Sequence, residues 1–170
     1  MLSLPTLTSL VLAAASAVMT LNSGDFSSGG TIPTAFMATD CGGQNRSPGL
    51  VWANAPKNAK SFALVMHDPD APIAGGFDHW VVYNLPAATH ELAVNAKLSA
   101  NQLGTTSRNT ADYYGPCPPP GPPHHYTLTL YALDLAHIDT SMPLTASQLE
   151  QRIAGHVLAR AVLRATAGRP

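Results

Sequence analysis

Apolar residues in this chain fall into short runs that are separated by proline and glycine. Two such runs, Phe62–Met66 and Val81–Leu85, flank a polar segment, His67–Pro72, and a Gly75-Gly76 pair. Short apolar runs bounded by proline and glycine are typical of β-strands. We therefore predict two neighbouring strands that are joined by a rigid loop.

A further strand is predicted after His124. From Tyr126 to Ala132 the side chains alternate, so that one face is apolar and the other carries Thr127 and Thr129. A period of two indicates a half-buried strand. The 15 prolines and 13 glycines of the chain also favour many turns, and hence a mainly β fold.

A helical pattern occurs near the C-terminus. Thr145 and Gln148 have the spacing of a capping box, in which each side chain accepts from the other residue's backbone N–H. Apolar residues then recur every four positions from Leu149 to Ala161, which is typical of an amphipathic helix. We predict a helix over about residues 146–165 that packs on one side of the sheet.

The composition narrows the class of protein. A chain of 170 residues is long enough for one domain with a real core, and we assign that domain to residues 20–170. Charged residues make up 11% of the chain and the net charge is −1, whereas about a quarter of an average protein is charged. The sequence has no basic block, which argues against nucleic acid as a partner.

The N-terminal segment has the features of an export signal. Leu10–Met19 is apolar but too short to span a bilayer, and Ala15–Ala17 has the small-x-small form of a signal-peptidase site. We predict a signal peptide over residues 1–17, cleaved near Ala17, and a periplasmic or secreted domain without a transmembrane segment. The alternative is a cytoplasmic protein that starts at Met19, since no Lys or Arg precedes the apolar run.

The two cysteines, Cys41 and Cys117, have two possible interpretations. In an exported protein they could form a disulfide, which would stabilise the fold by roughly 4 kcal/mol because it closes a long loop. In a cytosolic protein, two buried thiols would be favoured. The sequence contains no C-x-x-C motif that would indicate a zinc or redox site.

Chemically versatile side chains cluster at two places, each next to a predicted strand end. The first cluster is Asp68, Asp70 and His79, and the second is His124, His125 and Tyr126, with Tyr113 and Tyr114 shortly before it. Because alternate residues of an extended segment share a face, we expect the carboxylates of Asp68 and Asp70 on one side. His79 opens the returning strand and is expected beside them.

Four interpretations of these clusters are open from the residues alone. Histidine and tyrosine donors could hold a phosphate or another small anion, with an aspartate fixing a histidine tautomer. A metal site is the second, although no H-x-x-x-H or H-E-x-x-H pattern supports it. The third is hydrolysis by paired carboxylates, which two aspartates in one short loop fit poorly. In the fourth, these residues are structural and the aspartates cap turns.

Three longer patterns carry more information than the clusters. They are D-P-D-A-P with H-W-V-V-x-N-x-P at Asp68–Pro86, G-P-C-P-P-x-G-x-x-H-x-Y at Gly115–Tyr126, and C-x-G-x-N-x-S-P-x-L-x-W at Cys41–Trp52. Together they resemble the phosphatidylethanolamine-binding protein family, most closely its bacterial, Raf-kinase-inhibitor-like branch. The resemblance extends from about residue 21 to the C-terminus.

The resemblance implies a β-sandwich-like fold with a large central antiparallel sheet, a smaller sheet and flanking helices. It also implies a small anion pocket for phosphate-like head groups such as phosphoethanolamine, without a cofactor or metal. Carried over by position, the pocket residues are Asp68, Asp70, His79, Gly115, Pro118, Pro119, His124 and Tyr126. His125 stands where arginine is common in the family, which replaces a fixed positive charge by a titratable one.

We therefore expect a non-enzymatic protein that binds a small phosphate-like anion or a phospholipid head group. In this hypothesis His79 and His124 donate to the anion, Asp70 orients a histidine, and the backbone of Gly115–Pro119 forms a rigid wall. The alternative is an inhibitor of a protease or kinase that uses the pocket rim, as animal members of the family do. A metal-dependent or carboxylate hydrolase is less well supported.

Overall fold

The structure, a computed structural model, describes residues 17–169. The predicted signal peptide therefore lies, apart from its last residue, outside the described residues. Within them the strands are β1 (Thr20–Asn22), β2 (Leu50–Ala53), β3 (Ser61–Asp68), β4 (Phe77–Pro86), β5 (Glu91–Leu92), β6 (His124–Leu133) and β7 (Val157–Ala167), and the α-helix is α1 (Ala146–Ile153). Short 3₁₀ helices occur at Thr34–Phe36, Thr39–Cys41 and Ala100–Gln102.

The strands form two antiparallel sheets. The smaller has the order β1-β2-β5 and the larger has the order β4-β3-β6-β7. In the larger sheet β3 lies between β4 and β6, so the end of β3 meets the beginnings of both neighbours at one edge. This confirms the predicted mainly β fold with a large central sheet and a smaller sheet.

The main core fills the space between the sheets. Phe62, Trp80 and Leu128 of the large sheet belong to one buried cluster with Leu50 and Trp52 of the small sheet. Trp52 meets Phe62 edge-on, with 5.4 Å between the ring centroids. Full burial of an apolar side chain of this kind stabilises a fold by about 1.5–3 kcal/mol, so this cluster holds the two sheets together as a sandwich.

Helix α1 covers the other face of the large sheet. Its apolar residues Leu149 and Ile153 belong to a second buried cluster that includes Val65 of β3. Thr145 Oγ1 accepts a hydrogen bond from the Gln148 backbone N–H, and the Gln148 side chain accepts one from the Thr145 N–H. The predicted capping box is therefore confirmed. No helix within residues 17–169 is long and apolar enough to cross a membrane.

The predicted helix over residues 146–165 is wrong in its second half. Helix α1 ends at Ile153, Gly155 has a φ of +84°, and Val157–Ala167 form the edge strand β7. Glycine in this left-handed region commonly ends helices. Alternate residues from Ala161 to Ala167 are buried. Several of them are alanine, which fits a helix equally well, so the period of two is weak in the sequence.

Candidate functional site

A cavity of about 360 Å³ lies at the edge where β3 ends and β4 and β6 begin. This volume is within the range of small-molecule sites, about 300–1,000 Å³. Five of the predicted site residues line it, namely Asp68, His79, Pro118, Pro119 and His124. The other three, Asp70, Gly115 and Tyr126, do not belong to the lining.

Three neighbouring strands bring the polar side chains of the cavity together. Asp68 is the last residue of β3, because Pro69 has no N–H with which to continue the ladder. It pairs with Phe77 at the start of β4, and His79 follows two residues later on the same face. His124 is the first residue of β6, so all three side chains meet at one edge of the sheet.

Asp68 is bonded to both a histidine and the backbone. Its Oδ2 accepts a hydrogen bond from Nδ1 of His124 at 2.8 Å, and its Oδ1 accepts one from the backbone N–H of Asp70 at 2.9 Å. The residue is only 3% exposed, and a carboxylate buried to this extent is costly unless it is paired and hydrogen-bonded. Asp68, rather than Asp70, is therefore the aspartate that orients His124 in the cavity.

Asp70 lies outside the cavity and is partly exposed. Its carboxylate accepts hydrogen bonds from the backbone N–H and the ring Nδ1 of His125, at 2.7 and 2.6 Å. These contacts hold the pKa of the Asp70 carboxyl below its usual value. The expectation that Asp68 and Asp70 share a face is wrong, because the strand ends at Asp68 and the chain turns at Pro69.

His79 is buried and fixed in one tautomer. Its Nδ1 donates to the carbonyl oxygen of Tyr114 at 2.8 Å, and its Nε2 lies 4.0 Å from Oδ2 of Asp68. Burial lowers the pKa of His79 to about 4, so the ring is neutral at physiological pH and Nε2 is an acceptor. In the free protein at neutral pH the hydrogen of this ring is therefore on Nδ1, which is bonded to Tyr114, and a contact of His79 with an anion stays a prediction.

Tyr126 lies behind His79. The two rings meet edge-on, with 5.2 Å between their centroids, and Tyr126 is fully buried. Its hydroxyl lies close to the Asp68 carboxylate but forms no hydrogen bond of good geometry among the described residues. Burial and the negative charge of Asp68 raise the pKa of the Tyr126 phenol. Tyr126 is therefore a protonated side chain that supports His79 and does not line the cavity.

Gly115 fixes the beginning of the proline-rich segment. A Cβ at this position would collide with the carbonyl oxygen of Phe36 and the backbone nitrogen of Ala38, so only glycine fits here. The side chain of Asn45 is hydrogen-bonded to this segment of backbone at two points. It accepts a hydrogen bond from the Gly115 N–H at 2.8 Å and donates one to the Tyr113 carbonyl at 3.1 Å.

A disulfide anchors the proline-rich wall of the cavity. Cys117, which lines the cavity next to Pro118, is bonded to Cys41, and the two Cα atoms are 5.5 Å apart. Of the two interpretations that the sequence left open, the structure has the disulfide. The bond connects the wall to the 3₁₀ turn Thr39–Cys41, and since prolines have little conformational freedom to lose, the wall is preorganised.

The sequence did not indicate the two arginines of the lining, Arg108 and Arg169. Arg108 lies over the ring of Tyr114, with Cζ 4.4 Å from the ring centroid, and donates to Oδ2 of Asp40 at 3.3 Å. Arg169 follows β7 and donates from Nε to the Pro118 carbonyl at 2.6 Å. Neither belongs to a motif or to a cluster, so only the tertiary structure reveals them.

The chemistry of the cavity is therefore electrostatic. Two guanidinium groups are available to an anion, and Asp68 and the neutral His79 are available to a hydrogen-bond donor. Among the described residues the lining contains no serine or threonine, and its one cysteine is in the disulfide. Within residues 17–169, no three His, Cys, Asp or Glu side chains are grouped so that they could hold a metal ion.

Comparisons with known sequences agree with these features. Residues 22–168 match the family model described as phosphatidylethanolamine-binding protein. The UPF0098 protein YbhB of Escherichia coli is 36% identical over 155 residues, which cover 86% of this chain and 98% of YbhB. A UPF0098 protein of Aquifex aeolicus is 35% identical over 153 residues, 87% of either chain. None of these names denotes an enzyme.

Solved structures share the fold. The crystal structure of Escherichia coli YbcL, described as a new member of the mammalian PEBP family, has a TM-score of 0.85 at 30% identity and covers 91% of this chain and 100% of YbcL. A phosphatidylethanolamine-binding protein homologue from Chlamydia trachomatis has a TM-score of 0.82 at 35% identity, over 90% of this chain and 99% of its own. On motifs, fold and comparisons alike, the chain belongs to the phosphatidylethanolamine-binding protein family, in the group of YbhB and YbcL.

Proposed function

We propose that this chain is a non-enzymatic binding protein whose cavity accepts a small phosphate-bearing group, such as the head group phosphoethanolamine. The observation that carries the proposal is the presence of Arg108 and Arg169 in one cavity with the imidazoles of His79 and His124. Guanidinium groups suit phosphate because their planar N–H donors match its oxygens.

The proposed ligand contacts come from the lining. His124, whose Nδ1 is hydrogen-bonded to Asp68, presents Nε2 to the ligand, and His79 contacts the ligand through its own Nε2. Pro118 and Pro119 form the rigid wall. A preorganised wall supports affinity because little entropy is lost when the ligand binds.

The remaining predicted site residues have supporting roles in this proposal. Asp70 holds the start of β6 through His125, Gly115 permits the close backbone approach that sets the wall, and Tyr126 packs behind His79. Substitutions at these positions should therefore disturb the shape of the cavity without removing a direct contact to the ligand.

A titration of the full chain with inorganic phosphate and phosphoethanolamine tests the proposal, with affinity from calorimetry and histidine side-chain resonances from NMR. His124→Ala removes a proposed contact. His156→Ala is the matched control, since His156 forms the same 2.8 Å pair, with Asp134, away from the cavity. We expect common, saturating shifts of His79 and His124, and a loss of about 10-fold or more in affinity in His124→Ala only. Resonances of His79 and His124 that do not shift during the titration, or an unchanged affinity in His124→Ala, would contradict the proposal.

One observation favours a second candidate, an inhibitor that contacts a protease or kinase with the rim of the cavity. Ile73 lies at this rim and is 52% exposed, next to the stiff Pro72. Pro72 and Ala74 are exposed as well, and a contiguous exposed apolar patch of this kind marks an interaction surface, whereas a single exposed side chain does not. If phosphate compounds do not bind, inhibition assays with Ile73→Asp as the comparison variant decide whether this candidate replaces the first.

We further propose that the protein acts in the cell envelope or outside the cell. The disulfide between Cys41 and Cys117 is of a kind that persists in oxidising compartments. One relative, from Mycobacterium tuberculosis and 36% identical over 119 residues, bears a lipoprotein name. The intact mass of the protein from its native host should show the loss of residues 1–17, whereas an intact Met1 would refute export by cleavage.

A further inference from the structure

Two hydrogen-bond acceptors face each other at the strand edge of the cavity. Nε2 of His79 lies 4.0 Å from Oδ2 of Asp68, and each side chain is 4% exposed. This distance is too long for a hydrogen bond between the two atoms. Buried acceptors are stabilised when a donor reaches them, so a group that carries hydrogen fits between them.

Both atoms are fixed as acceptors by the other contacts of their side chains. His79 uses its Nδ1–H for the Tyr114 carbonyl, which leaves a lone pair on Nε2 of the neutral ring. Asp68 receives hydrogen bonds from His124 and from the backbone of Asp70. Each carboxylate oxygen has a second lone-pair direction, so Asp68 can accept one more.

The charged and titratable groups around His79 come from several elements. They are Asp68 on β3, Asp78 on β4, His124 and Tyr126 on β6, Tyr114 in the preceding loop, and the lining arginines Arg108 and Arg169. The arginines are held on the side of the loops, by Asp40 and by the Pro118 carbonyl. The cavity therefore has cationic donors along the loops and an acceptor pair at the strand edge.

If a tetrahedral oxyanion is held by the arginines, one of its oxygens faces the acceptor pair on the other side of the same cavity. A bare oxygen there would face two atoms that carry lone pairs, whereas an oxygen that carries a hydrogen donates to them. Building on the function proposed above, we propose that the cavity selects phosphate monoesters that carry one proton, and discriminates against phosphate diesters and sulfate esters.

This selectivity separates two sources of the same head group. A phosphate monoester has a second pKa of about 6, so it retains a P–OH group in mildly acidic solution. The phosphodiester of an intact phospholipid, and a sulfate ester, have no such hydrogen near neutral pH. The ligand class is therefore the free phosphomonoester and not the head group within a lipid.

The affinity for a monoester should fall as the pH rises. Below about pH 6 the ligand arrives with its proton, and above it the complex must take up one proton, which weakens binding about 10-fold per pH unit. His79 of the free protein does not titrate in this interval, because burial lowers its pKa to about 4. The midpoint should therefore follow the second pKa of the ligand.

Calorimetric titrations of the full chain between about pH 5.5 and 8 test the proposal with four ligands. Phosphoethanolamine and ethanolamine O-sulfate share shape and ammonium group but differ in the proton. Glycerol 3-phosphate is a monoester without an ammonium group, and glycerophosphoethanolamine is a diester with one. At the acidic end we expect both monoesters to bind at least about 10-fold more tightly than the other two ligands. With rising pH the monoesters should then weaken relative to ethanolamine O-sulfate, which carries no titrating proton and so corrects for any titration of the protein itself.

Asp68→Asn sharpens the test, because it replaces one acceptor oxygen by an NH₂ donor. This variant should bind ethanolamine O-sulfate more tightly than the wild type and lose most of the discrimination. Asp134→Asn is the matched control, since it alters the equivalent 2.8 Å pair with His156, and it should keep the discrimination. If Asp68→Asn does not fold, the pH profiles of the wild type with the four ligands still decide whether the cavity selects protonated monoesters.

The outcomes separate this proposal from the one on which it rests. Equal affinity for phosphoethanolamine and its sulfate analogue overturns the selectivity but leaves a phosphate-binding function in place. The selectivity is also overturned if the diester binds as tightly as the monoesters, since its ammonium group would then be the donor. A monoester affinity that does not change with pH overturns it as well. In both cases the phosphate-binding function stays in place. If none of the four ligands binds, the proposed function itself fails.

Discussion

Two aspartate–histidine pairs lie at opposite ends of the large sheet. Asp68 accepts from His124 at the cavity end and Asp134 accepts from His156 at the other end, both at 2.8 Å. The side chains of the first pair are 4% and 11% exposed, whereas those of the second pair are both 44% exposed. The two pairs have the same chemistry and geometry, so the difference in solvent access decides how strongly each one constrains the fold.

The largest effect should follow from breaking the buried pair. Asp68→Ala leaves His124 Nδ1 and the Asp70 N–H without their partner, and we expect a loss of about 3–5 kcal/mol in the free energy of unfolding. Asp134→Ala should cost less than about 1 kcal/mol, because water replaces the lost contact. Urea unfolding of both variants measures the difference. Equal losses would mean that burial does not distinguish the two ends.

The disulfide gives the cavity end a second constraint. It connects residues 76 apart in sequence, and removal of such a cross-link should cost about 4 kcal/mol through the entropy of the unfolded chain. The double variant Cys41→Ser, Cys117→Ser should also exchange the hydrogen-bonded amides of Gly115 and Gly42, which flank the cross-link, faster, while the Asp134 amide keeps its protection. Uniform loss of protection along the chain would argue against a local role.

Acidification to pH 4 should lower the free energy of unfolding by about 3 kcal/mol through His79 at the cavity end. The folded-state pKa of His79, about 4, lies below the ordinary value of 6.5, so the unfolded chain binds a proton first as the pH falls. Stability from this group is therefore complete above pH 6.5 and is lost by about 3 kcal/mol on acidification to pH 4. His67, whose pKa is raised by its hydrogen bond to Asp78, acts in the opposite direction.

Comparison of variants isolates the contribution of His79. His79→Gln cannot titrate, so its stability should change less between pH 7 and pH 4 than that of the wild type. His156→Gln, at the exposed end, should follow the wild-type profile. Unfolding in urea at several pH values gives both curves, and parallel curves for His79→Gln and the wild type would contradict the low pKa of the buried ring.

The sequence predicted the strands well because their patterns are local. Val81–Leu85 and the alternation from Tyr126 each lie within one strand of the structure, and the capping box of α1 is also a local signal. The error over residues 157–165 has a physical cause. Alanine carries little information about the face that it occupies, and only three residues, with Gly155 at a positive φ in their middle, separate helix from strand.

The cavity was predictable only in part. Asp68, His79 and His124 stand at strand ends, where motif and pattern coincide, and the structure brings them together. Asp68, and not Asp70, orients His124 because strand β3 ends at Asp68. Where a strand ends in its sheet is a tertiary property. Arg108 and Arg169 reach the cavity through loop geometry and are anchored by Asp40 and a proline carbonyl, so no local pattern could reveal them.

The long loops that close at the cavity also have a kinetic consequence. The contact of Asp68 with His124 spans 56 residues, and the hydrogen bond from Tyr113 to Phe36 spans 77. Contacts of such high sequence separation form slowly, because loop-closure entropy is lost before they stabilise the chain. The cavity should therefore form late in folding, so that ligand binding reports a completed sheet and a collapsed intermediate cannot bind.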